Sequence, residues 1–229
     1  MASDSLFADL RDHILAVADE NWAQEIDSTI LDDRQAADLD RTCEAPVTTN
    51  ETLFALMKDR LADLDDLLRS DASPRESWAA IGQEPVMRRE IARELLHAAN
   101  GLYSVDQEAV THEENRTDIR LRSRASDHET VIELKLAKNW SARQLRDAIG
   151  NQLVEKYLVT QNRSSGCLLV TLATDRAWEH PDTGVRIDRS ELYRLLCEEA
   201  ERVMNSSGRT IAIAVHILDL RKPSSGARP

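Results

Sequence analysis

Glycine and proline are scarce in this chain, 7 and 6 among 229 residues, and aromatic side chains make up only 4%. That scarcity excludes collagen-like and low-complexity character. The three cysteines, Cys43, Cys167 and Cys197, are odd in number and far apart. Without a C-x-x-C pair, neither a disulfide framework nor a zinc knot is expected, and the usage fits a reducing compartment. No run approaches the roughly 18 consecutive apolar residues of a membrane span. Met1-Ala2-Ser3-Asp4-Ser5 lacks the basic and apolar segments of a signal peptide, so a cytoplasmic location is expected. Neither G-x-x-x-x-G-K-[ST] nor G-x-G-x-x-G occurs, which removes the nucleotide-binding P-loop and the Rossmann turn. His112-Glu113-Glu114 lacks the second histidine of a helical zinc motif, and Trp22, Trp78, Trp140 and Trp178 are too dispersed for a stacking platform.

What remains is a globular composition, 41% hydrophobic and 31% charged, too apolar for wholesale disorder. The net charge of −12 is unevenly placed. Residues 1–80 carry 7 Lys/Arg against 19 Asp/Glu, whereas residues 81–229 carry 22 of each. An acidic total opposes nucleic-acid binding through counterion release, but a neutral domain can still present a basic face. The split predicts an acidic α-helical region over 1–80, serving interaction, dimerisation or regulation. A domain over 81–221 and a flexible tail over 222–229 follow it.

Periodicity orders the elements. Leu6, Leu10, Ile14 and Val17 recur at helical spacing. Thr48-x-x-Glu51 has capping-box form ahead of Leu53, Met57, Leu61, Leu64 and Leu68. Ser73-Pro74-Arg75-Glu76 starts a further helix, and another runs from near Pro85 through Ile91, Leu95 and Leu96 to Asn100-Gly101. From residue 102 the period becomes alternating. Strands are expected over Tyr103–Thr111, Thr117–Arg122 and Val131–Ala137, the last two joined as a hairpin. Ser141-x-x-Gln144 opens a helix with Leu145, Ile149, Leu153 and Tyr157. Cys167–Ala173 reads as a strand buried on both faces, Asp188-x-x-Glu191 caps a helix, and Thr210–Leu220 is a last buried strand. The fold class is α/β, a mixed sheet flanked by helices and preceded by the α-helical N-terminal region.

Chemistry concentrates on two of the strands. Glu133 and Lys135 share a face, because alternate strand residues point the same way. In a hairpin, Asp118 of the preceding strand faces either Glu133 or Lys135, and in both registers the three converge. Two carboxylates and a backbone carbonyl suit Mg²⁺, a hard cation that takes oxygen ligands. An adjacent lysine can orient or deprotonate water and neutralise charge on a phosphoryl group. The same pattern also arises as a plain surface ion-pair cluster worth about 0–1 kcal/mol per pair. Gln152 falls on the apolar stripe of the following helix, where an inward amide needs a partner. Glu84, just before Pro85, either complements a helix dipole or reaches the site. Arg116, Arg120, Arg122 and Arg124 form the one local basic cluster, read as solvated strand edges or as a phosphate-tracking rim.

Asp118, Glu133-Leu134-Lys135 and Gln152 through Tyr157, in that order, resemble the PD-(D/E)XK nuclease superfamily, the restriction-endonuclease-like fold. Asn115 to Ile119, Trp140 after the Glu-x-Lys, and Gln152-Leu153 with Tyr157-Leu158 are similar to nuclease-like domains of bacterial defence or conflict proteins. The resemblance spans about 81–220 and leaves the first third unaccounted for. It implies a Mg²⁺-dependent nuclease, with Mn²⁺ as substitute, acting on nucleic acid and more specifically DNA. Asp118, Glu133 and the carbonyl of Leu134 would be the metal ligands, Lys135 the catalytic lysine, and Gln152 the accessory glutamine. Glu84 would match the acidic residue of the first core helix, and Glu108 is a weaker candidate. The position before Asp118 holds Thr where the family commonly has Pro. Partners implied are nucleic acid, and a protein or second copy through the N-terminal helices. Two other readings stand beside it: a catalytically silent nucleic-acid-binding module of the same fold, and a protein-interaction adaptor.

Overall fold

In a computed structural model of the chain, the described residues are 45–107, 119–158 and 162–222. The expected strand residues 108–111 and 117–118, and the expected N-terminal helix over Leu6–Val17, lie outside them. Residues from Val47 onward form one compact unit. Its first elements are α1 (Asn50–Arg69), α2 (Arg75–Ala79) and α3 (Glu84–His97). Three strands follow: β1 (Tyr103–Gln107), β2 (Ile119–Ser123) and β3 (Glu129–Leu136). After a 3-10 turn (Ala137–Asn139) come α4 (Ala142–Ala148), a π-helical segment (Ile149–Tyr157) and β4 (Ser165–Leu172). A small hairpin, β5 (Trp178–Glu179) with β6 (Arg186–Ile187), precedes α5 (Arg189–Ser206) and β7 (Ala212–Asp219).

The main sheet has five strands in the order β1-β2-β3-β4-β7. β1–β2 and β2–β3 are antiparallel, whereas β3–β4 and β4–β7 are parallel. The α/β class with a mixed, helix-flanked sheet is therefore observed. Alternation assigns the two faces. Ile119, Leu121, Ile132, Leu134, Leu136, Cys167 and Leu169 pack with the buried residues of α1, α2 and α3. Val131, Leu168, Val170, Leu172 and Val215 pack with α4, the π segment and α5. With helices on both faces, β3 and β4 are buried at every position, as central strands of an α/β sheet should be.

Local signals set most boundaries, with instructive shifts. The capping box of α1 is Thr49 with Thr52, one residue beyond the expected Thr48 and Glu51: the Thr49 hydroxyl accepts from the Thr52 N–H. Helices open at Ser141 and Asp188 as expected, each through a reciprocal capping box. Leu96 is 53% exposed, because Leu95 completes the Met87–Ile91 stripe and the next residue turns about 100° away. Asn100 and Gly101, expected at the helix end, do lie in the left-handed region (φ 48° and 82°), three and four residues past His97. Ser165 and Gly166 also belong to β4, which starts two residues before the expected Cys167. β7 is not fully buried; it is the sheet's edge, and its positions alternate between buried and half-buried.

Gly166 fixes how closely the π segment approaches the sheet. A Cβ there would lie 2.8 Å from Leu153 Cδ1 and 3.1 Å from the Val131 carbonyl oxygen. Gly150, within the π segment, has nothing within 4 Å. Gly166→Ala should therefore destabilise the fold by about 1–3 kcal/mol through overpacking. Gly150→Ala should leave the midpoint unchanged or raise it, since its backbone is helical and its surroundings open. Urea unfolding of the two variants beside wild type checks both.

Candidate active site

β3 carries the expected pair. Lys135 Nζ donates to Glu133 Oε1 at 2.6 Å, with the two side chains only 6% and 5% exposed. Both point to the face covered by α4, the π segment and α5, because they share parity with Val131. A charge pair so withdrawn from water cannot be the exposed surface cluster that bare alternation allows. The ammonium also sits 4.4 Å over the Trp140 ring, a cation–π contact strengthened by desolvation.

Glu84 reaches the same place from the other layer. As the first residue of α3, its Oε1 accepts from Trp140 Nε1 at 2.7 Å and from the Leu136 N–H at 3.3 Å. One indole thus joins the Glu84 carboxylate to the Lys135 ammonium. Trp140 is held in turn by its carbonyl, which accepts from Trp178 Nε1 at 3.2 Å, while Arg176 secures the Ala137 carbonyl. An open cleft of about 460 Å³ lies here, lined by Gln83, Glu84, Pro85, Asn139, Trp140 and Gln144.

Gln152 is half-buried on the π segment rather than on an α-helix. Its amide makes no hydrogen bond among the described residues. Asp118 precedes Ile119, whose pairing with Ile132 is the last described between β2 and β3. Asp118 and Glu108 lie outside the described residues, as do Asn115, Arg116 and Thr117. Among the described residues no three Asp, Glu, His or Cys side chains converge as a metal site. The donors that are described, the Glu133 carboxylate and the carbonyls of β3, are the hard oxygens that Mg²⁺ takes, so the donor type fits.

Farther along β3 on the same face is a second ionic group. Glu129 is buried, and its carboxylate accepts from Arg122 Nε at 2.9 Å, Arg163 Nε at 2.9 Å and Arg120 Nη1 at 3.5 Å. Arg120 Nη2 donates to Asp106 at 3.0 Å. Arg120 and Arg122 are neighbours in the sequence, whereas Arg163 joins them only through the parallel β3–β4 pairing. For Trp140 the sequence offers one signal, a lone Trp in the polar stretch after Glu-x-Lys. Thiol chemistry has no support here: burial pushes Cys167 well above the usual thiol range, and desolvation likewise raises Cys197.

The chain matches no family model, no curated protein and no solved structure.

The pair itself has a thermodynamic signature. Lys135→Ala or Glu133→Ala should each destabilise by about 3–5 kcal/mol, since each strands a buried charge. The double change Glu133→Leu with Lys135→Met should be neutral or stabilising by comparison. Chemical denaturation of the two singles and the double beside wild type reads the difference.

Proposed function

We propose that the chain is a metal-dependent nuclease of the restriction-endonuclease-like fold, hydrolysing phosphodiester bonds of nucleic acid, DNA in particular. The observation that carries the reading is the buried Glu133–Lys135 pair on β3, 2.6 Å apart and flanked by Trp140. A protein that needed only stability would do as well or better with apolar residues at these positions. Retaining a desolvated carboxylate and ammonium two residues apart is explained by chemistry performed there. The order helix, three strands, helix, strand, with Glu-x-Lys on the third strand, agrees with the resemblance drawn from the sequence.

In this reading Asp118, Glu133 and the Leu134 carbonyl would hold Mg²⁺ or Mn²⁺, which when bound supplies Lewis acidity at the phosphoryl group. Lys135 contributes fixed N–H donors where negative charge grows on the non-bridging oxygens as water attacks phosphorus and the bond to the 3′ oxygen breaks. Glu133 holds that ammonium in place. Glu84 acts through Trp140 as a positioning residue, keeping the indole against the lysine. Gln152 would orient water or a phosphate oxygen from the π segment, a kind of irregularity common at functional sites. A role in a bacterial defence or conflict system is part of the same proposal.

The near-complete burial of the pair favours a second reading, a silent nucleic-acid-binding module in which the two charges only hold the strand. Cleavage of a labelled duplex and a plasmid in Mg²⁺ or Mn²⁺ separates the two. The nuclease reading expects wild-type cleavage that falls about 10²–10³-fold in Lys135→Met and Glu133→Gln, with folding verified by circular dichroism. Equal rates in wild type and both variants, or no cleavage with either metal, overturn it.

A further inference from the structure

Three guanidiniums converge on the one carboxylate of Glu129. The carboxylate offers about four acceptor positions, and Arg122, Arg163 and Arg120 contact it together. Each guanidinium has five N–H donors. Arg122 commits only its Nε to Glu129, on a side chain 48% exposed. Arg120 has a buried Nε with no acceptor among the described residues. Among the described residues, Arg120, Arg122 and Arg163 are faced by Glu129 and Asp106, three cations against two anions in a chain whose total is −12.

Holding the fold together does not require this excess. Glu129 already anchors the segment before β4 through its own backbone N–H, which donates to the Asn162 carbonyl at 2.9 Å. Placement gives the surplus charge a use. Arg122 lies across from Glu129 and Arg120 across from Val131, so the group occupies the same sheet face as Glu133 and Lys135. Glu129 lies four positions before Glu133 on β3, about 13 Å along the strand. On that face the packed helices belong to the buried cluster around β3, β4 and β7, whereas on the β1–β2 side Arg122 is exposed and Asp106 half-buried.

We infer that Arg120, Arg122 and Arg163, gathered by Glu129, form a binding site for the phosphate backbone of a polynucleotide, beside the Glu133–Lys135 pair. The inference rests on the nuclease reading for its ligand and extends it to the residues that hold the substrate. Arg122 supplies the accessible fork, with two unspent amino groups that match phosphate oxygens. Glu129 keeps the three cations from repelling one another while no phosphate is present. It is a placeholder carboxylate, and removing its charge should strengthen the site.

The test is fluorescence anisotropy of a labelled DNA 20-mer, single-stranded and duplex, with the full chain in EDTA over a salt series. Wild type should bind with salt-dependent affinity. Arg122→Ala should bind several-fold more weakly, with a salt slope shallower by about 0.7–0.9. Glu129→Gln should bind more tightly with a steeper slope, an outcome that a purely structural role does not produce. Arg122→Ala binding with wild-type affinity and slope overturns the inference, as does a folded Glu129→Gln that binds no more tightly. If Glu129→Gln fails to fold, the exposed Arg122 still decides. Parallel cleavage assays in Mg²⁺ separate the two claims. Cleavage with binding indifferent to these arginines overturns the phosphate site alone. Arginine-dependent binding without cleavage supports the phosphate site and overturns the nuclease reading. Neither binding nor cleavage overturns both.

Discussion

A lysine ammonium and a glutamate carboxylate placed 2.6 Å apart inside a protein make a demand that the surroundings must meet. Each ion loses its hydration, and only good geometry, close partners and a rigid enclosure offset that loss. Much of the architecture around β3 answers the demand. The strand is central, so its backbone is paired on both sides by β2 and β4. The indole of Trp140 lies against the ammonium, and Glu84 holds the indole from the opposite layer. The loop carrying Trp140 is tied down by Trp178 and Arg176. The buried pair thus lies where helix, strand and loop meet around one indole.

Much of this was legible in the residues. Parity alone put Glu133 and Lys135 on one face, and the capping boxes at Ser141 and Asp188 fixed two helix starts. What the chain could not disclose is what depends on tertiary pairing. The alternation of β7 resembles that of an interior strand until the sheet order makes it an edge. Arg163 lies 34 residues from Glu129 and meets it only because β3 and β4 run in parallel register. The π-helical stretch is equally hidden: Leu145, Ile149, Leu153 and Tyr157 recur every four residues, a spacing that an α-helix also accepts. Glu84 was ambiguous between dipole and site because both need an acid at a helix start. The structure places Glu84 against Trp140, whose indole nitrogen donates to it directly.

The charge distribution acquires a spatial meaning that the total conceals. Acidic residues dominate the first third of the sequence, yet among the described residues three arginines, two on β2 and one just before β4, gather on the buried Glu129 carboxylate. A net charge of −12 describes the long-range field and says little about a patch within one Debye length, about 8–10 Å, of the sheet face. The two scales act on different events: the far field slows the approach of any polyanion, while the patch governs what is held after contact.

Gly166 contributes no charge, donor or nucleophile to any of this, and yet it sets a height. Leu153 rests where a methyl group would otherwise stand, and Gln152 is its immediate neighbour on the same segment. The elevation of that amide above the strands is therefore gauged by a single hydrogen atom on the floor beneath it. A shim one carbon thick would press on Leu153, so the most inert residue of β4 is also the one that calibrates how near the π turn can come to the sheet.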